Sequence, residues 1–182
     1  MSTLDWVALV AVVLVALAWF LSYSAARLDR LHARVEATYA ALDAQLVRRA
    51  EATLELANSG HLDPATALML AAAAAESLAH ADADEREREA VESDFSEALE
   101  VALTPEVLGD LRSGDEMTQA GLERVSAAGV RVQLARRFHN DAVIDVRRVR
   151  SKRSVRIFRL AGHAEMPRTI DFDDALPEGL HD

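Results

Sequence analysis

The chain has 182 residues and a formal net charge of −10, with 20 Lys+Arg against 30 Asp+Glu. It contains no cysteine, which excludes disulfides, thiolate metal sites and a cysteine nucleophile. Half of it is apolar, only 5% is aromatic, Gly and Pro are few, and no stretch alternates apolar with polar residues; this composition predicts an all-α fold built from long helices.

A five-residue N-terminus precedes Trp6–Ala26, "WVALVAVVLVALAWFLSYSAA", which carries no charge. At ~1.5 Å per residue this stretch matches the ~30 Å hydrocarbon core of a bilayer. Trp6 stands at one edge, and Trp19, Phe20 and Tyr23 at the other, where interfacial aromatics anchor a span. A cleaved signal peptide is the competing reading, with Ser22 and Ser24 as small residues near a cleavage point. Signal peptides want a basic start, however, and no Lys or Arg precedes Trp6. Arg27, Arg30 and Arg34 follow the span directly, whereas Asp5 is the only charged side chain before it. Positive flanks stay inside, so the expected state is a single-pass protein of the cell membrane with its N-terminus outside and its body cytoplasmic.

The span continues into a first helix over residues 27–58. Its apolar stripe is Leu28, Leu31, Val35, Tyr39, Leu42, Leu46, Ala50, Thr53 and Ala57. Asn58-Ser59-Gly60 stops it, and Asp63-Pro64 offers an N-cap and a first helical position. The second helix is expected over 64–103, although its stripe thins from Ala81 to Glu92, where it bends or is solvated. Thr104-Pro105 opens a short helical turn to Leu111, and Ser113-Gly-Asp-Glu116 reads as a capping box. The third helix is expected over 116–160, with Leu122, Val125, Val132, Ala135, Ala142, Val146 and Val149 on its inner stripe. Residues 163–182 read as an acidic, mostly extended tail. The architecture expected is therefore one transmembrane helix continuing into an antiparallel, coiled-coil-like three-helix bundle over residues 27–162.

The sharpest feature is basic. Val146–His163, "VRRVRSKRSVRIFRLAGH", holds six arginines and the chain's only lysine. Arg131–Arg159 carries a local net charge of +8, against −9 over Glu76–Glu106. Arg147, Arg148, Arg150, Lys152, Arg153, Arg156 and Arg159 form a candidate interaction patch. Nucleic acid is a poor partner for it, because the whole chain is acidic and Phe158 is the only aromatic in the run. An up-down-up bundle sets this run beside residues 50–62 of the first helix, about 35 Å from the bilayer and beyond several Debye lengths. On that register the distal arginines are short of partners except Glu51, Glu55 and Asp63, and either the tail carboxylates of Asp171, Asp173 and Asp174 fold back on them or an acidic partner protein takes that place. Asp141 and Asp145 share a helix face, and Arg137 and Arg148 beside them make ion pairing the plain reading. Histidine spacing gives no metal motif, and no nucleophile or phosphate-loop pattern occurs. No cofactor and no enzymatic activity are expected.

"RVQLARRFHNDAVIDVRRVRSKRSVRIFRLAGHAEMPRTIDFDD", Arg131–Asp174, resembles the C-terminal half of LemA-family proteins of the actinobacterial type. Phe138, Asn140, Leu160, Gly162, Pro167 and Phe172 match that family's pattern in kind. "RLHARVEATYAALDAQLVRRAEATLELA" resembles its first soluble helix. Two departures stand out: His139 intrudes between Phe138 and Asn140, and the turn reads "NSGHLDP" in place of a Tyr-Ala-x-His-Glu type. The resemblance implies a membrane-anchored antiparallel helical bundle with no enzymatic activity, cofactor or substrate, and some relatives are linked to membrane remodelling or envelope maintenance. Two functions follow. One is an anchored scaffold or adaptor that binds an unknown protein partner or self-associates as a homo-oligomer. The other is a membrane-surface protein whose basic helix end touches anionic lipid. The bilayer itself is the partner of residues 6–26 in both.

Overall fold

The computed structural model describes residues 3–158 and 165–180. Among them it is all-α, with no strand and six helices: α1 (Thr3–Ala57), α2 (Pro64–Ala79), α3 (Glu85–Ala102), α4 (Pro105–Ser113), α5 (Glu116–Arg150) and α6 (Arg153–Ile157). The chain divides into two units, Met1–Ala37 with Asn140–Thr169, and Thr38–His139 with Ile170–Asp182. Arg159, Leu160 and Gly162 lie outside the described residues.

In the second unit, α1 ends where the turn signals stand. Gly60 has φ +81°, the left-handed conformation a side chain resists. Asp63 then caps α2, its Oδ1 accepting from the N–H groups of Ala65 at 3.0 Å and Thr66 at 3.2 Å. Thr104 caps α4 before Pro105 in the same way. The cap of α5 is Asp115, which accepts from the Thr118 N–H at 2.9 Å. Ser113, expected in that role, instead closes α4 by donating to the Asp110 carbonyl.

The single second helix expected over 64–103 is two helices. His80 ends α2, and Asp84 caps α3 by accepting from the N–H groups of Arg86 and Glu87. The connection doubles back, so that Ser77 of α2 faces Glu92 of α3. As a result α3 runs parallel to α1, with Asp43 beside Arg88 and Arg49 beside Glu92. One more reversal than expected therefore precedes α5. It runs antiparallel to α1, with Glu55 paired to Arg124 and Thr38 to His139. The core of this unit joins Leu56, Leu70, Phe95, Leu99, Leu108, Leu122 and Val125. A smaller cluster holds Leu42, Leu46, Val132, Ile170 and Phe172.

In the first unit α1 and α5 are again antiparallel. Arg34 reaches Asp145 at 3.7 Å, and Leu28 is buried with Val149 and Val155. Residues 3–20 of α1 are exposed throughout. Trp19 is 77% exposed, and none of the described residues covers the uncharged run from Trp6 to Phe20. It is the one described helix long and apolar enough to cross a membrane, and a signal sequence meets the same criterion. An apolar surface of this extent is unstable in water. α5 stops at Arg150 and not near 160; Ser151 and Lys152 turn the chain, and α6 follows.

Candidate membrane-surface site

The basic run gathers at the exit of the apolar segment. Leu28 stands two residues beyond Ala26, so Val149 and Val155 pack on α1 about 3 Å of helix rise past the segment's end. This overturns the expected 35 Å separation. Within the second unit the reversal at 80–84 sets α5 antiparallel to α1, where the expected bundle had the two parallel.

The basic side chains divide by role. Arg148 lies 3.6 Å from Asp145, which also faces Arg34, so Asp145 is an ion-pair partner as its spacing predicted. Arg147 Nε donates to the Pro167 carbonyl at 2.8 Å, and Arg150 donates to the Glu165 carbonyl at 2.6 Å. The tail does return to the basic end, through the backbone carbonyls of Glu165 and Pro167. Arg147, Arg148, Lys152, Arg153 and Arg156 are exposed to solvent. Among them stand exposed apolar side chains: Ile157 is 73% exposed, and Phe158, Met166 and Ile144 are also open. Cationic and apolar groups interleaved in this way suit the headgroup boundary of a bilayer, where the apolar tips sink and the cations meet phosphates.

The tail carboxylates expected on those arginines lie in the second unit. Asp174 takes both arms of Arg136, at 2.7 and 2.9 Å, and Asp171 stands 3.7 Å from the same guanidinium. The family-like residues are spread differently from one another. Phe138 is exposed, while its neighbour His139 is buried, facing Thr38 Oγ1 at 3.4 Å and the ring of Tyr39 edge-on. Phe172 is buried under the Arg136 guanidinium. Pro167 supplies the carbonyl that holds Arg147.

A polar cluster that the sequence reading missed lies in the second unit. Glu92, fully buried, accepts from Arg49 at 2.6 Å and from the Ser77 hydroxyl at 2.7 Å, with Arg88 at 3.1 Å. Burial pushes the Arg49 pKa down, and the Glu92 charge opposes that shift. Arg49 also covers the Phe95 ring at 4.7 Å. Its signal was phase alone: Leu42, Leu46, Arg49, Thr53 and Leu56 step by helical turns along one face. Among the described residues no group of three or more His, Asp or Glu is placed to hold a metal ion.

No family model, curated protein or solved structure matches the chain. The site is thus described by its own geometry: a basic, partly apolar surface around α6, seated at the end of one apolar segment.

Proposed function

We propose that the chain is a single-pass, non-enzymatic scaffold of the cell membrane, of LemA type, whose basic segment 147–158 rests on anionic lipid next to its own anchor. The observation that carries this reading is the burial of Val149 and Val155 on Leu28. It sets the stretch of chain that carries six cationic side chains, Arg147, Arg148, Arg150, Lys152, Arg153 and Arg156, against the turns of α1 that follow the span. There each cation contributes on the order of 1 kcal/mol of attraction to an anionic leaflet. The same grouping reinforces the orientation read from Arg27, Arg30 and Arg34, with the body on the cytoplasmic side. Residues 6–26 then act as an uncleaved anchor, since the surface around α6 is matched to a bilayer that the anchor keeps in place.

Extraction of the full chain in lipid discs from native membrane, followed by lipid analysis, tests this. The natural chain carries an excess of anionic over zwitterionic lipid relative to bulk membrane, and replacing the six cations with Gln removes the excess. Equal lipid compositions for the two chains overturn the reading.

A further inference from the structure

The C-terminal segment Ile170–Leu180 is held in the second unit as a bound peptide is held. It has no helix or strand before the turn at 178–180. The polar contacts to its backbone come from side chains of three different helices. On α3, Glu89 accepts the Asp171 N–H at 2.8 Å and Ser93 accepts the Asp173 N–H at 3.1 Å. On α5, Gln133 donates to the Asp174 carbonyl at 2.8 Å and Ser126 to the Leu180 carbonyl at 2.9 Å, while Arg112 of α4 donates to the Gly179 carbonyl. Alternate side chains supply the selectivity. Ile170 and Phe172 enter the cluster of Leu42, Leu46 and Val132, and Asp174 takes the Arg136 fork. Leu176 sits on Gly129, where an added Cβ would lie 2.3 Å from its Cδ2, and Leu180 joins the main core. Backbone contacts for affinity and alternating pockets for selectivity are the mark of extended-peptide recognition.

We propose that this segment is an exchangeable strap, and that its groove receives the same segment of a second copy of the chain. Apart from the Asp173–Ala175 and Pro177–Leu180 turns, the backbone contacts just described run from the strap to the helices, so it leaves the groove as a unit. Departure uncovers the small cavity in which Ile170 and Phe172 meet Arg88, whose buried Nε reaches no acceptor among the described residues. Water entering there solvates a buried guanidinium and offsets part of the lost contact. A second copy is the occupant that fits, because it repeats the Ile-x-Phe-x-Asp-x-Leu register residue for residue. Exchange therefore conserves every contact, and local concentration sets the balance. This step rests on the anchoring proposed above, which confines copies to one plane.

The chain has no cysteine, so disulfide trapping is clean. Full chains bearing Ser93→Cys and one tag are reconstituted in bilayers with chains bearing Asp173→Cys and another tag, at rising protein density. Strap exchange yields a disulfide-linked dimer carrying both tags, increasing with density, and falling at least severalfold when Arg136→Gln is added to the Ser93→Cys chain. If the doubly tagged dimer is absent while Ser93→Cys/Asp173→Cys on one chain forms an intramolecular disulfide, the strap is confined to its own copy and the proposal is overturned. A dimer indifferent to Arg136→Gln reports collision and also overturns it, as does failure of both disulfides. A negative result here alongside anionic-lipid enrichment would leave the membrane reading standing.

Discussion

Glu92→Ala tests the energetics of the second unit most severely. The Glu92 carboxylate has no exposed surface and neutralises two buried guanidiniums at once, Arg49 at 2.6 Å and Arg88 at 3.1 Å. Its removal strands Arg49 and leaves Arg88 only the more distant Asp43 at 3.8 Å, in a medium that solvates cations poorly, a loss of about 3–5 kcal/mol. An internal control is built into the fold. Arg124 and Glu55 are separated by 2.9 Å, nearly the same distance, but their side chains are 48% and 64% exposed. Water screens that pair, so Glu55→Ala costs at most ~1 kcal/mol. For a chain of this size each kcal/mol moves the Tm by roughly 2–4 °C, so Glu92→Ala lowers it by about 6–20 °C and Glu55→Ala by a few degrees at most. The assay is thermal unfolding of the full chain in micelles, followed by far-ultraviolet circular dichroism. Replacing the cluster together, as Arg49→Met, Arg88→Met and Glu92→Leu, recovers much of the loss, because no buried charge is then left unpaired. Equal costs for Glu92→Ala and Glu55→Ala would refute the reasoning, since burial would then be irrelevant to the ion pair.

Three further predictions follow from the turns and the strap. Gly60→Val, at φ +81°, costs about 1 kcal/mol or more, whereas Gly109→Ala, in open space inside α4, stabilises by about 0.5–1 kcal/mol and raises the Tm slightly. Asp63 and Asp115 are held below their usual pKa of 3.8 mainly by the hydroxyls of Thr66 and Thr118. A carboxylate with a depressed folded-state pKa contributes stability above its unfolded value and loses it as pH falls through the folded value, so the Tm declines below about pH 4. Asp63→Asn with Asp115→Asn flattens that decline; an unaltered acid limb would count against the capping assignment. Gly129→Val displaces Leu176 and raises proteolysis within residues 170–180 while leaving helix content intact, and unchanged protection would show that Leu176 is not seated there.

The local signals in the sequence were good where chemistry is punctuated. Gly60, Asp63-Pro64 and Thr104-Pro105 each mark a boundary that the structure realises. The reversal at 80–84 was harder, because no Gly or Pro marks it. Its signal was Asp84 followed three residues later by Glu87, with acids filling the first turn of α3. Without that turn the expected direction of α5 along α1 was inverted, and the expected position of the basic run went with it. Arg49 and Glu92 were illegible for a different reason. Charged residues are ordinarily solvated, and only the pairing of α1 with α3, a long-range fact, makes their burial tolerable. The strap was legible as extended chain, but its apolar register of Ile170, Phe172, Leu176 and Leu180 was obscured by the acids between them.

Position 157 reports most directly on whether the basic end meets the bilayer. With no native cysteine, Ile157→Cys carries a single environment-sensitive label in the full chain, reconstituted in anionic or zwitterionic discs. Lipid-borne quenchers are expected to reach the label in anionic discs, and replacing Arg147, Arg148, Arg150, Lys152, Arg153 and Arg156 with Gln to abolish the contact. A label equally open to aqueous quencher in both lipids, before and after those replacements, would contradict that contact.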